Sequence, residues 1–160
     1  MLCACEPCAI LFSGQTLQRY RRIPRDVERL DGFVMDEYEW NSLFIPINLA
    51  FFLCSSSAGR EVAQYPSPGG IMESSLDLEY WSTIVEHNPI LTKFEPDVET
   101  LLVNRISEPF QYYRAPIDQC FRLAGIIRTH WRGLSGGAEV WAEIATFFDQ
   151  LNLLAGGTVA

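Results

Sequence analysis

Two helical hydrophobic patterns dominate the C-terminal third of the chain. In the first, over 117–131, apolar side chains recur at helical spacing from Ile117 to Trp131. The second covers 140–151, with apolar residues at i, i+3, i+4 and i+7 and acidic residues on the opposite face. A glycine-rich segment, RGLSGG at 132–137, separates them. The pattern therefore predicts two helices joined by a short connection.

Runs rich in aromatic and branched residues predict the strands. Residues 47–54 (INLAFFLC) and 60–65 (REVAQY) flank the turn-forming sequence SSSAG, which is typical of a hairpin. Residues 98–106 (VETLLVNRI) predict another strand, with 110–114 (FQYYR) as its hairpin partner. The intervening PSPGG at 66–70 has the composition of a loop.

Shorter elements complete the prediction. A strand is expected at 9–12 and one or two helical turns at 36–43, before Pro46. A helix is expected over 76–87, with Leu78, Trp81 and Val85 on its buried face. Asn88-Pro89 then predicts a second short helix, because proline is favoured in a first helical turn.

These elements follow one another without regular βαβ alternation, which predicts an α+β fold. We expect a single domain over 1–154, with an antiparallel sheet of β-hairpins packed by the C-terminal helices. Within it, 1–12 would form a cysteine knuckle and first strand, and 155–160 a flexible tail. A parallel doubly wound fold is the alternative, but no G-x-G-x-x-G or Walker motif is present.

Composition excludes some classes of function. The 160 residues carry a net charge of −8, which argues against a nucleic-acid partner held by a basic surface. The longest apolar run, 43–54, contains Pro46 and Asn48 and is too short to span a bilayer. No basic region precedes an N-terminal apolar stretch, so no secretory signal is expected. Five cysteines, three of them clustered, argue for reduced thiols and a cytoplasmic protein.

The N-terminal cluster Cys3, Cys5 and Cys8 is a candidate metal site. Thiolates at this spacing are typical zinc or iron ligands, but a closed tetrahedral site needs a fourth. Cys54 and Cys120 fall in core-like segments, and nothing in the spacing points to His87 or His130. Three buried small residues are the alternative interpretation. The site is therefore predicted to be incomplete in this sequence.

The helix connection is a second candidate, for an anion or a partner protein. Glycines before a helix expose backbone N–H groups toward the positive end of its dipole. The residues proposed for this contact are Arg128, His130, Arg132, Ser135, Gly136 and Gly137. The alternative is a plain connector in which Ser135 caps the last helix and Trp131 packs.

The other candidate sites have less chemical support in the sequence. The arginine-rich segment 19–29 is more typical of a solvated surface than of a phosphate site. Neither a nucleophile elbow nor a paired set of carboxylates is apparent, so no catalytic residue is predicted.

Several strings together resemble a known protein family. They are CACEPCAILF, IPINLAFF with SSSAGR, YPSPGG, PDVETLLVNR and RTHWRGLSGG followed by VW. They resemble an uncharacterised bacterial family encoded in nickel–iron (NiFe) hydrogenase gene clusters of actinobacterial type, with the likeness running from Cys3 to Leu151. Members of that family carry a C-x-x-C pair upstream of the cysteine turn, which would supply the missing ligands. Here Met1-Leu2 directly precede Cys3.

The resemblance implies an accessory role in hydrogenase maturation, assembly or electron supply. Our first hypothesis is a non-enzymatic protein that binds a hydrogenase subunit or maturation factor. The alternatives are a zinc- or iron-thiolate protein for electron transfer or metal delivery, and a small enzyme or binding module holding an anionic ligand at the 128–137 loop.

Overall fold

A six-stranded antiparallel sheet organises the part of the chain that the structure describes. The structure is a computed structural model and describes residue 10, residues 21–74 and residues 78–156. The strands pair in the order β1-β6-β5-β2-β3-β4, and every pairing is antiparallel. They are β1 (Glu28–Arg29), β2 (Leu49–Ser55), β3 (Arg60–Ser67), β4 (Gly70–Ser74), β5 (Glu99–Asn104) and β6 (Gln111–Pro116).

Helices cover both faces of this sheet. They are α1 (Glu37–Ser42), α2 (Leu78–His87), a 3₁₀ helix (Pro89–Lys93), α3 (Ile117–His130) and α4 (Gly137–Gly156). The longer pair, α3 and α4, packs on one face, and the segment from Leu30 through α1, together with α2 and the 3₁₀ helix, covers the other. The predicted α+β class with an antiparallel sheet packed by the C-terminal helices is confirmed, and the second covering layer makes it a three-layer domain.

The face under α3 and α4 holds an apolar core. Phe51 and Leu102 point into it from the central strands, because alternate residues of a strand face opposite sides. Leu123 and Ile127 of α3 meet them, spaced four residues apart on one side of the helix. Helix α4 adds its own apolar stripe, consisting of Val140, Ile144, Phe147, Phe148 and Leu151.

The opposite face is covered mainly by aromatic packing and short elements. Trp81 of α2 stacks on Phe52 with ring centroids 4.8 Å apart. The buried Asn88 holds the loop that precedes α1 against this layer. Its Oδ1 accepts from the Val34 N–H at 2.7 Å, and its Nδ2 donates to the carbonyls of Val34 and Ile84 at 2.7 and 2.8 Å.

A buried arginine anchors α1 to the sheet. The Arg105 guanidinium donates to the Met35 carbonyl at 3.1 Å and to the Tyr112 hydroxyl at 2.9 Å, and it pairs with the Glu37 carboxylate. It also lies 4.1 Å from the centroid of the Phe110 ring. A buried charge with these partners is fully engaged in holding the fold.

Most predicted elements are confirmed. The hairpin of β2 and β3, the pair β5 and β6, and all five predicted helical segments occur where the patterns placed them. Asp36 caps α1 in a reciprocal capping box with Glu39. Trp81 lies on the buried face of α2 as expected, and Val85 packs partly against the core.

Three expectations need correction. The predicted loop at 66–70 turns only at residues 68–69, because Pro66 and Ser67 end β3 and Gly70 begins β4, a strand that was not predicted. The predicted tail at 155–160 begins too early, since α4 continues to Gly156 and Ala155 packs against the core. In the predicted first strand at 9–12, Ile10 is helical, and the other residues lie outside the described part.

The sequence predicted no membrane-spanning segment. Among the residues that the structure describes, no helix has both the length and the apolar character needed to cross a bilayer.

Replacing Asn88 by alanine tests the anchoring of the loop that contains Val34 and leads into α1. The substitution removes three buried or partly buried hydrogen bonds, so we expect the free energy of unfolding to fall by about 2–4 kcal/mol. Asn48→Ala is a matched control at an exposed position and should change it by less than about 0.5 kcal/mol. Urea unfolding followed by circular dichroism measures both. Equal midpoints for the two variants would contradict the assigned role of Asn88.

Candidate functional site

The connection between α3 and α4 is a tightly organised loop, which we call the tip loop (131–137). The Arg132 N–H donates to the Gly136 carbonyl at 2.9 Å and closes an isolated β-bridge. Two indoles fasten the remaining backbone: Trp131 Nε1 donates to the Gly133 carbonyl at 2.9 Å, and Trp141 Nε1 donates to the Ser135 carbonyl at 3.1 Å. The tip loop is therefore held by its own hydrogen bonds as well as by its two helices.

Gly136 fits where no other residue would. Its φ is 87°, in the left-handed region that side chains disfavour. A Cβ at this position would lie 2.8 Å from Cγ1 of Val140 and 3.2 Å from the ring of Trp131. The close packing of these two side chains over the glycine sets the angle at which the chain enters α4.

The predicted cationic residues do not converge on one point. Arg132 donates from one guanidinium nitrogen to the carbonyls of Thr129 and Trp131, both at 2.9 Å, and so caps the end of α3. His130 Nδ1 lies 3.0 Å from a carboxylate oxygen of Glu139 in the first turn of α4. Arg128 is exposed and forms no ion pair with any described residue. Because a carboxylate already occupies this helix end, the geometry offers little to a second anion.

Ser135 takes a different part from the predicted cap. Its carbonyl, rather than its hydroxyl, makes the contact, by accepting the Trp141 indole N–H. Gly136 and Gly137, with φ values of 87° and 78°, form the turn into the helix. Trp141 lies edge-on to Trp131, with ring centroids 6.1 Å apart. Sequence reasoning did not assign Trp141 to the site, although its W-x₉-W spacing to Trp131 across a glycine turn was a visible signal.

An apolar side chain lies at the apex of the tip loop. Leu134 is fully exposed between Gly133 and Ser135, and Trp141 beside it remains 42% exposed. The exposed surfaces of Leu134 and Trp141 do not pack in the core. The arrangement is an apolar projection at one end of the helix pair, with the exposed Arg128 on the last turn of α3.

The opposite layer contains a histidine–carboxylate pair. His87 Nδ1 lies 2.8 Å from a carboxylate oxygen of the buried Glu39, whose other oxygen accepts the Asp36 N–H in the capping box. Within the described residues His87 makes no hydrogen bond to a hydroxyl or thiol, so no activated nucleophile accompanies it. We therefore assign this pair to the anchoring of α1.

Cys54 and Cys120 are not suited to act as reactive thiols. Burial raises the pKa of Cys120 to about 12, and its sulfur lies 3.1 Å from the Thr100 hydroxyl. Burial, followed by the nearby carboxylates of Glu61 and Asp97, also raises the pKa of Cys54. Both thiols stay protonated at neutral pH, whereas metal ligands and nucleophiles are thiolates. This agrees with their expected structural role.

The predicted metal ligands Cys3, Cys5 and Cys8 lie outside the described residues, and the zinc or iron site stays a prediction. Within residue 10 and the ranges 21–74 and 78–156, no group of three metal-ligating side chains is found. His130 and His87, the two histidines considered as a fourth ligand, are each paired with a glutamate.

The described part of the arginine-rich segment contacts acidic and carbonyl groups of the same chain. Arg21 donates to the Pro96 carbonyl at 2.9 Å and lies 3.7 Å from the Asp97 carboxylate. Arg29 pairs with Asp31 at 2.8 Å. These contacts match the interpretation of a solvated surface segment.

A shallow cleft lies between α2, the 3₁₀ helix and the central strands β2 and β5, beside Cys54. Its volume is about 70 Å³, and it is lined mainly by apolar side chains, among them Trp81, Leu91 and Phe94. That volume holds a few water molecules and is small for a substrate pocket. The tip loop is therefore the stronger candidate for function.

Comparison with known proteins places the chain in a family. Residues 1–154 match the model of DUF5947, a family of unknown function. The protein belongs to this family. No curated protein matches the chain, and no solved structure does. The match covers the sheet, the tip loop and the helices described above, apart from the last two residues of α4.

Gly136→Ala tests the close packing at the base of the tip loop. The added methyl meets Val140 and Trp131 and requires an unfavourable φ, so we expect a loss of about 2–4 kcal/mol in the free energy of unfolding. Gly125→Ala is the matched control: it lies within α3, and a Cβ there meets nothing within 4 Å. It should be neutral or stabilise by up to about 1 kcal/mol. Thermal unfolding measures the midpoint of both variants. A Gly136→Ala midpoint equal to that of the parent would contradict the close contacts described at Gly136.

Proposed function

We propose that the protein is a non-enzymatic accessory factor that binds a partner protein through its tip loop. The observation that carries this proposal is Leu134, a fully exposed leucine at the apex of a loop fixed by hydrogen bonds. An apolar side chain in that position gains nothing from folding. It gains free energy when a partner removes it from water.

The rigidity of the loop supports a binding role. A flexible loop loses conformational entropy on association, and that loss weakens binding. In the tip loop this ordering occurs during folding, through the bridge from Arg132 to Gly136 and the two indole bonds. The loop is thus preorganised to insert Leu134 into an apolar pocket of a partner.

The neighbouring side chains suit a protein interface. Tryptophan and arginine are enriched in the centres of protein–protein contacts. Trp141 offers a partly exposed indole next to the loop, and Arg128 offers an exposed guanidinium without an ion-pair partner among the described residues. The partner surface should therefore combine an apolar pocket with an acidic group near its rim.

The class of partner comes from the resemblance to hydrogenase-cluster proteins. We propose a hydrogenase subunit or a maturation factor, met in the cytoplasm during assembly. The absence of an assembled catalytic set in the described residues is compatible with an accessory role. The histidine–glutamate pair that anchors α1 and the protonated thiols likewise favour binding over chemistry.

Leu134→Asp tests the proposal in a hydrogenase-producing host. A charge at the apex cannot enter an apolar pocket, so we expect recovery of the hydrogenase subunit or maturation factor in a pull-down to fall at least tenfold. The unfolding midpoint should stay that of the parent, because the Leu134 side chain is fully exposed. Mass spectrometry of the captured proteins gives the measurement.

Leu153→Asp provides the matched control. Leu153 is also an exposed leucine, 77% accessible on α4, but it lies outside the tip loop. It should leave capture unchanged. Failure of the parent protein to recover a hydrogenase subunit or maturation factor would contradict the partner class, and equal recovery by parent and Leu134→Asp would contradict the assignment of the loop.

A further inference from the structure

The outer edge of β4 is an unpaired sheet edge. Strand β4 ends the strand order, and among the described residues nothing pairs with its outer side. Most sheet edges are protected by charge, proline or a covering segment, because an open edge is a template for another strand. β4 reads GIMES and has neither proline nor lysine.

The register shows which backbone groups point outward. In β3 and β4 the pairs are Ser67↔Gly70, Pro66↔Ile71, Tyr65↔Met72 and Gln64↔Glu73. Hydrogen-bonded and non-bonded pairs alternate in an antiparallel ladder. Since Pro66 has no N–H to donate, Pro66↔Ile71 is a non-bonded pair, as is Gln64↔Glu73. The N–H and C=O groups of Ile71 and Glu73 therefore face away from β3.

These outward groups are arranged symmetrically about Met72. If a second β4 runs antiparallel with Met72 opposite Met72, Ile71 of each copy faces Glu73 of the other. Both residues then exchange N–H and C=O bonds, giving four backbone hydrogen bonds around a two-fold axis. A two-fold contact of this kind uses the same patch on both subunits.

The side chains at the edge are compatible with this pairing. Met72 is 47% exposed and would contact its own copy across the axis. Glu73 pairs with Arg60 at 2.9 Å, so each carboxylate at the edge has a positively charged neighbour. Arg60 thus reduces the repulsion between two approaching edges of an acidic protein.

Phe44 adds an apolar surface beside the strand. It is 71% exposed and has a φ of 52°, an uncommon conformation for an aromatic residue. It follows Leu43, whose carbonyl accepts the Ser74 hydroxyl at 3.3 Å, so it lies close to the end of β4. On the same side of the sheet as Met72, it extends the surface available to a second copy.

We propose that two copies of the chain associate through their β4 edges, centred on Met72, to form one continuous antiparallel sheet. The contact is distinct from the tip loop, which lies at the connection of α3 and α4. Because it consists of one short strand and a few apolar side chains, it belongs with small, reversible interfaces and should be concentration-dependent.

Sedimentation velocity of the full chain over a concentration series tests the dimer. We expect a species of twice the 18.2 kDa chain mass to grow with concentration. Ile71→Pro removes only an outward N–H, which an edge strand tolerates, and costs two of the four bonds between copies. Met72→Lys places two ammonium groups directly opposite each other. Each variant should raise the dimer dissociation constant at least tenfold.

Leu153→Lys is the control, since it makes the same kind of change at an exposed site away from the edge. It should dimerise as the parent does. Circular dichroism checks that each variant is folded. If Ile71→Pro does not fold, the dimer dissociation constant of Met72→Lys, compared with that of the parent, tests the proposal. A parent that stays monomeric at its highest soluble concentration would overturn the proposal. So would a dimer that Met72→Lys leaves unchanged.

Discussion

Burial of a single sheet on both faces is the constraint on which the rest of this fold depends. Strand β5 shows it most clearly: Leu101 and Val103 face one layer, Leu102 faces the other, and all three are buried. Such a sheet needs two covering layers. One is built from the long helices α3 and α4. The other uses short elements, which polar anchors at Arg105 and Asn88 hold against the sheet.

The tip loop is a consequence of that arrangement. Because α3 and α4 both pack on the same face, the chain must reverse direction in a few residues beyond the core. Glycines with positive φ make the reversal possible, and two indoles hold it in place. The reversal leaves Leu134 outside every packing layer. We propose that this element, which is needed to close the fold, also binds the partner.

Sequence patterns predicted the fold better than the site. Helical periodicity placed α3 and α4, because each helix buries one side. Runs of aromatic and branched residues placed the two strand pairs, because their central strands are buried on both faces. These patterns missed β4, where a proline–glycine turn resembles a loop by composition and only pairing with β3 reveals a strand. Arg128, His130 and Arg132 were grouped because they are close in sequence. In the structure His130 contacts Glu139, Arg132 contacts backbone carbonyls and Arg128 is exposed, and side-chain direction at a helix end is not readable from spacing.

The central claim is that Leu134 is the point of contact with a hydrogenase subunit or maturation factor. Site-specific cross-linking tests it most directly, with a photoreactive phenylalanine at position 134 and, in parallel, at position 153 in a hydrogenase-producing host. The account predicts a cross-link from position 134 to such a protein and none from position 153. The same cross-linked products from both positions, or no hydrogenase-related product from position 134, would contradict it.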